Sequence, residues 1–595
     1  MWKRPDPSRL PGAPPRAQRA VGMTGLASRA ATRGKPLDPF NLPVAVCLAL
    51  LVAFAPAPSR AQSDDSAVER LIQILVKNGV LTRAQADSLA EQARAEAHAG
   101  QPAAAGQPAA PARPRPVAPG TVRVTYVPET VRKQIATEVK QQVMQQATEE
   151  GWAEPNSIPA WTQRVRVSGD VRLRGEFDMF PKGNYNAFPD FNAINALSNG
   201  YDSTSGVNPP LLNTTENRTR MILRARLGVS AQVADWVDAE LRIATGSDRS
   251  PVSANQTLGA GGDFSKYGIW LDRAAITMRP ADSLTLYGGR FADPFWLSDL
   301  VFYDELGFDG LAAQARARAT DAIGGTLVLG AFPVFNTDYA FGSTDLTKTA
   351  SRDSWLLAAQ LIGDWKPPER SWSARLALGY LDFANVQGKT SQLCAAPTSY
   401  GSCNTDDTRT PWIVYGNTVF PLRAISPLNG STTAQPQYYG LASRFGLLDL
   451  HGQVLYSGYH PIDIRPEAEF VTNLGFDRKA IGALAPSNNL GAGDAYEGSG
   501  TGYMARVTVG HLDLLAAEDW NISLTYKYLG SDAVIDALTD PNFHMGGTNA
   551  KGFILTANYA LGRDIWLSGR WYSASAVSGP PYEVDTLLVD LNLRF

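Results

Sequence analysis

From Trp161 to Phe595 the chain keeps a single periodicity, two, through more than 400 residues. Across 164–174 apolar residues or Gly hold the odd positions and polar residues the even ones. Residues 218–229 repeat this, with Thr219, Met221, Leu223, Ala225 and Leu227 on one face. Ile522, Leu524, Tyr526 and Tyr528 stand likewise opposite Ser523, Thr525 and Lys527. One alternating strand fits a half-buried soluble sheet equally well, so the repetition carries the inference. A solid soluble core stops growing near ~250–300 residues. A chain of 595 residues that alternates this persistently is expected to close round a polar interior.

The connections support a transmembrane barrel because they alternate in length. Short ones fall near 231–235, 280–283, 320–323, 366–371, 457–463, 516–519 and 561–564. Between them lie long polar ones at 178–216, 247–268, 292–307, 334–352, 386–436, 475–500 and 531–548. Short periplasmic turns and long outer loops are the record an outer-membrane barrel leaves, and a soluble sandwich has no reason to keep such order. With both barrel ends periplasmic the strand number is even. Dividing 437–475 into three strands makes seventeen, whereas one long strand from Gln437 to about Leu455 makes sixteen. The fold class is therefore all-β, a transmembrane antiparallel up-and-down β-barrel of about 16 strands over 161–595, preceded by a short α-helical periplasmic N-terminal region.

Composition agrees. Hydrophobic residues make up 44%, too few for a bundle of membrane helices, while 13 Trp, 21 Tyr, 22 Phe and 53 Gly suit barrel strands and turns. The one apolar run, 42–54, is shorter than the ~20 residues of a spanning helix. It follows scattered Arg and Lys and precedes Ser59-Arg60-Ala61, the layout of a secretory signal peptide over 1–61 with cleavage between Ala61 and Gln62. Met23 is an alternative start, since the basic lead is unusually long. Cys47 leaves with the signal, and Val46 before it is too large for a lipoprotein site. Cys394 and Cys403 remain, and an even pair in an exported chain reads as a local disulfide. Removing the signal takes away nine Lys/Arg and two Asp, leaving 45 basic and 55 acidic groups, a net charge near −10. That argues against nucleic acid as a partner.

Residues 62–98 read as a helical hairpin: Ser66 and Glu69 form a capping box ahead of Leu71, Ile72, Leu75 and Val76, and Asn78-Gly79 stops the first helix. Residues 99–127 are a Pro/Ala-rich linker and lead-in. Over 128–150, Val131, Ile135, Val139 and Val143 mark an amphipathic helix whose four-residue spacing is a poor heptad, so a trimer-assembling coiled coil and a plain surface helix both stay open. At the other end, Phe595, Leu593 and Leu591 continue the alternation, and a terminal aromatic on an amphipathic last strand resembles the signal read by the barrel insertion machinery.

The segment Gly288-Gly-Arg-Phe-Ala-Asp-Pro-Phe-Trp-Leu-Ser-Asp-Leu-Val-Phe-Tyr-Asp-Glu-Leu-Gly-Phe-Asp-Gly310 resembles the third-loop region of the proteobacterial putative porin family. The hairpin from Leu71 to Ala93, with its Gly79-Val-Leu-Thr82 junction, is similar to that family's N-terminal hairpin. The resemblance covers roughly the whole mature chain and implies a water-filled channel for passive diffusion of small polar solutes or ions, surrounded by outer-membrane lipid. It leaves the solute undefined.

The lumen is expected on the polar face. Arginine facing lipid at the bilayer midplane would cost ~2–4 kcal/mol, which sends Arg164, Arg166, Arg172, Arg174, Arg218, Arg220, Arg224 and Arg226 inward, with Arg316, Arg318 and Arg375 on later strands. The third loop carries Asp293, Asp299, Asp304, Glu305 and Asp309. An arginine wall facing an acidic loop would set a transverse field across a constriction. Structural pairing of these charges is the competing reading. No cofactor or metal is expected: the five histidines are not spaced as a metal pair, and there is no Gly-x-Ser-x-Gly elbow, P-loop or CxxC. Asp406-Asp407 could touch a cation, though acidic pairs in polar loops are usually just solvated. A barrel phospholipase or protease, and an envelope tether binding peptidoglycan through the N-terminal helices, are the alternative functions.

Overall fold

The computed structural model describes residues 162–595, apart from 203, 249, 338–351, 369, 396–402, 411 and 427–434. The expected signal peptide, cleavage site at Ala61 and Gln62, helical hairpin, linker and 128–150 helix lie outside the described residues.

Sixteen long strands form one closed antiparallel barrel: β1 (Val165–Met179), β2 (Arg218–Ala234), β3 (Val237–Ala244), β4 (Trp270–Ala281), β5 (Leu284–Ala292), β6 (Gly307–Arg318), β7 (Ile323–Phe335), β8 (Ser354–Trp365), β9 (Trp372–Ala384), β10 (Phe445–Tyr459), β11 (Ile462–Asn473), β12 (Thr501–Gly510), β13 (Trp520–Leu529), β14 (Ala550–Gly562), β15 (Ile565–Ala576) and β16 (Glu583–Arg594). Each pairs with its sequence neighbours, and β16 pairs back onto β1, with Leu173 opposite Leu591 and Arg174 opposite Asp590. A spanning sheet must end this way, because hydrocarbon offers no partner to an open edge. Side chains alternate as the sequence requires. On β13, Ile522 and Leu524 are exposed on the outer wall while Thr525 and Lys527 are buried inside.

One strand differs from expectation. The alternation at 436–441 does not belong to the barrel: Pro436–Gln437 pairs with Tyr201–Asp202, and Tyr439–Leu441 pairs with Val419–Pro421. The wall begins again only at Phe445. A period of two reports a two-faced strand and cannot tell wall from loop.

The loops at one end do not simply project into water. The third (293–306) packs Phe295, Leu300, Val301, Phe302 and Leu306 against inward Val328, Phe332, Leu356 and Leu381. Where this loop packs, the inner faces of β7 to β9 are largely apolar, and each loop side chain so buried contributes about 1.5–3 kcal/mol. The seventh loop (530–549), expected as an outer polar loop, is folded inward and almost wholly buried, with Ala533, Val534 and Ile535 joining the same core. The fifth loop meets its buried polar groups: Asn417 donates to Ser531 O and Val534 O, and the Thr418 N–H donates to Asp532.

The seam between first and last strands is tight. Gly169 N–H donates to Phe595 O at 2.9 Å and Phe595 N–H returns a bond to Gly169 O at 3.0 Å. A Cβ at Gly169 would lie 2.5 Å from the Phe595 ring and 2.7 Å from Arg226 O. Phe595 and Leu593 are exposed on the outer wall and Leu591 is half-buried. Gly169→Leu is expected to lower the yield of folded barrel, read as loss of the compact, heat-modifiable band on cold gel electrophoresis, whereas Gly569→Leu, with open space around it, is expected to leave that yield unchanged.

Candidate functional site

The third loop crosses the barrel interior and is pinned at each stage. Asp293 accepts from Phe295 N–H at 2.8 Å, which turns the chain inward. Gln360 on β8 bonds both the N–H and the carbonyl of Trp296, each at 2.8 Å. The Trp296 ring stacks on His451 of β10 with centroids 4.0 Å apart. Ser298 donates through N–H and hydroxyl to Glu469 on β11. Asp299 then meets Arg506 of β12 at 2.8 Å and Lys527 of β13 at 3.0 Å. The return path ends at Glu305, which contacts Arg224 and lies 3.6 Å from Arg172. Lys527, fully buried, also has the Phe543 ring 5.1 Å away.

The seventh loop meets the third from the opposite side. Tyr303 N–H donates to Leu538 O at 2.9 Å. Asn542 accepts from Arg174 at 2.9 Å and donates to Asp540 at 2.8 Å. Two loops thus occlude much of the interior and leave a cavity of about 570 Å³ against β10 to β16. Asp299, Asp304 and Asp540 line its loop side, and Arg465, Arg506 and Arg570 its wall side. Asp304, Asp540 and Arg465 form no salt bridge of their own among the described residues. A second cavity of about 820 Å³ opens at the short-turn end and shares Gln453 with the first.

The residues singled out from sequence are distributed unevenly. Arg172, Arg174, Arg220, Arg224 and Arg226 stand on the inward face, but carboxylates lie between them. Arg174 clasps Asp590 through two bonds of 2.7 and 3.0 Å, Arg224 and Arg226 share Asp170 at 2.8 and 2.6 Å, and Arg220 pairs with Glu176. This wall is a mixed-sign network rather than an arginine wall. Asp170, Glu176 and Asp178 carry the same even parity as the arginines, so the pairing could have been read from the sequence. Arg164, Arg166 and Arg218 are exposed at the strand ends. Arg316, Arg318 and Arg375 line the second cavity, where Arg375 pairs with Asp364 at 2.6 Å.

Among the acids, Asp293, Asp299, Asp304 and Glu305 lie in the third loop. Asp309 does not: the ladder resumes at Gly307 opposite Ala292, and Asp309 on β6 pairs with Arg290 at 2.6 Å. Residues that sequence reasoning missed are Arg465, Arg506, Arg570 and Asp540. The first three hold inward parity on alternating strands, but nothing in the chain announces which inward residues the two loops leave uncovered.

Cys394 and Cys403 are joined by a disulfide. Cys403 is buried and its N–H donates to Asp406, which Arg423 clasps at 2.6 and 2.7 Å, while Asp407 pairs with Arg352. The Asp406-Asp407 pair is therefore engaged by arginines.

A model of the family described as "Putative porin" matches residues 65–595. The chain belongs to this porin family. It is an outer-membrane porin, a channel for passive diffusion. Its fold is similar to Pseudomonas putida OprB, at 9% identity and a TM-score of 0.39 over 73% of this chain and 95% of that one. It is also similar to the outer membrane channel DcaP of Acinetobacter baumannii, at 11% identity and 0.35 over 72% and 97%. Salmonella typhi OmpF, solved with daunomycin, follows at 8% and 0.33 over 72% and 97%. No curated protein matches this porin's sequence.

Two outcomes test the loop packing. Leu300→Ala in the third loop is expected to destabilise the folded porin by about 2–5 kcal/mol and to raise open-channel current noise in planar bilayers. In the seventh loop, burial pushes the Asp536 carboxyl up to about 7, although Val414 N–H donates to it. The folded state then keeps a proton that the unfolded chain releases near pH ~3.9, so this group's contribution falls as pH rises from about 4 through about 7 and is level above. Asp536→Asn removes that titration. Its unfolding midpoint is expected to gain on the wild type steadily across that window.

Proposed function

We propose that this porin passes small polar solutes through a constriction built jointly by the third and seventh loops. The charged slot between Asp304 and Asp540 on one side and Arg465, Arg506 and Arg570 on the other carries this reading. Opposed charges in a low-dielectric confine hold a field that net charge does not describe, and polar solutes that can align with it lose less on leaving water than apolar ones do. The unpaired Asp304, Asp540 and Arg465 dominate the field, because the arginines of β1 and β2 are already neutralised by Asp170, Glu176 and Asp590.

The same reading places residues 1–61 as a cleaved signal peptide and 62–150 in the periplasm, with the long loops facing outside. It takes the terminal strand to Phe595 as the segment recognised by the insertion machinery and a homotrimer as the assembly. It gives the protein no catalytic role, and the buried carboxylate of Glu469 serves to hold Ser298 of the third loop.

Reversal potentials in a salt gradient test the slot. Asp304→Asn with Asp540→Asn is expected to shift selectivity toward anions, and Arg465→Gln toward cations, at near-normal conductance. Arg220→Gln, whose partner is Glu176, is expected to move the potential less than Arg465→Gln does. An equal or larger shift from Arg220→Gln would place the selective charges on the β1–β2 wall instead.

A further inference from the structure

The outer surface of the barrel carries a feature that the channel does not use. On β9 to β11 the outward residues form an apolar band, with Leu378 and Tyr380 on β9, Leu448 and Leu450 on β10, and Phe470 on β11, all exposed. At the long-loop end Leu474 extends it and the character then changes. One outward step beyond Gly446 stands Arg444, exposed. Beside it are Lys389 from the fifth loop and Arg478 and Lys479 from a short helix, Arg478–Ala483, in the sixth. These groups surround a cleft of about 970 Å³ that also takes in Tyr380, Leu474 and Phe476.

The charge state of this cleft is unlike that of the lumen. Inside the barrel, arginine after arginine is neutralised by a carboxylate. Here none of Lys389, Arg444, Arg478 and Lys479 forms a salt bridge among the described residues. Arg478 bonds only carbonyls, Gly498 O at 2.7 Å and Glu497 O at 3.4 Å. Of the two acids in the cleft, Asp477 caps the helix, one of its carboxylate oxygens accepting from the N–H groups of Lys479 and Ala480 at 2.9 and 3.0 Å. Asp382 is the other. Four cations against two carboxylates leave a net positive cleft directly above an apolar wall.

We infer that this cleft binds the phosphorylated headgroup of an outer-leaflet glycolipid, with the lipid's acyl chains lying on the Tyr380–Leu448–Phe470–Leu474 face. An amphiphilic anion matches both halves of the surface at once. Phosphate oxygens are taken by the guanidinium groups of Arg444 and Arg478 and the ammonium groups of Lys389 and Lys479, in the manner of basic pockets at membrane surfaces. The chains cover apolar side chains that alternation has already turned outward. The inference rests on the orientation proposed above, in which the long loops face outside.

The test uses the purified full chain in neutral detergent, with lipid adducts counted by native mass spectrometry. The probes are a diphosphorylated acylated glucosamine disaccharide, the same lipid without its phosphates, and inorganic phosphate. The phosphorylated lipid is expected to form a defined adduct that Lys389→Gln/Arg444→Gln/Arg478→Gln/Lys479→Gln weakens at least about tenfold. A control at the opposite rim, Lys366→Gln/Arg370→Gln/Arg563→Gln, is expected to retain it. The pairs Lys389→Gln/Arg444→Gln and Arg478→Gln/Lys479→Gln are each expected to show a partial loss, which keeps the test decisive if the fourfold variant folds poorly. Undiminished binding in the fourfold or paired variants, equal loss in the control, or equal binding of the dephosphorylated lipid overturns the inference. Occupation by inorganic phosphate that displaces no lipid also overturns it, since the cleft would then be a free-anion site. Single-channel reversal potential is expected to be the same in wild type and cleft variants, so a failure of the pore reading shows there and a failure of the lipid site shows in the adducts.

Discussion

The backbone ladder between β16 and β1 is the contact on which everything else depends. Within hydrocarbon an unpaired N–H or C=O costs several kcal/mol, and a sheet with two open edges carries a whole column of them. Joining Arg174 to Asp590 and Leu173 to Leu591 across the seam removes both edges. Gly169 lets Phe595 lie flat against the first strand, so the ladder runs to the last residue of the chain. Closure at sixteen strands then sets an interior too wide for wall side chains alone to fill.

The filling is asymmetric, and the proposed solute path rests on that asymmetry. Val328, Phe332, Leu356 and Leu381 make the inner wall of β7 to β9 apolar, and the third loop buries its own Phe and Leu residues there. The opposite wall, β10 to β16 with β1 and β2, is polar and meets the loop through hydrogen bonds and ion pairs. The cavity that the loops leave lies along that second wall. The seventh loop narrows it further because the fifth loop supplies donors to its buried carbonyls, so the loop can leave water without orphaned backbone groups.

Charge inside the barrel divides into two populations. Arg174, Arg224 and Arg226 are held by carboxylates on adjacent strands and act as cross-strand bracing. Arg506 and Lys527 secure the third loop through Asp299. Arg465 and Asp304 line the cavity without such partners, and Asp540, buried at its edge, is held by Asn542 and pairs with no cation among the described residues. Desolvated pairs fix geometry, whereas unpaired charges at a water-filled surface keep their field for whatever passes.

The period of two and the alternating connection lengths by themselves pointed to the barrel, to about sixteen strands and to the inward parity of each strand. Those are local properties: a strand's side chains alternate whatever surrounds it, and lipid outside makes the alternation obligatory. The sequence also held the Asp170, Glu176 and Asp178 parity that turns the arginine wall into a mixed network. Tertiary structure alone decided that 436–441 pairs within the loops, that the seventh loop folds inward, that Asp309 belongs to a strand, and that Arg465 stays uncovered. Each of these depends on which distant segments meet across the lumen, as Asn542 meets Arg174 from 368 residues away. Contacts of that range follow from closure of the wall and packing of the loops, and no periodicity in the chain encodes them.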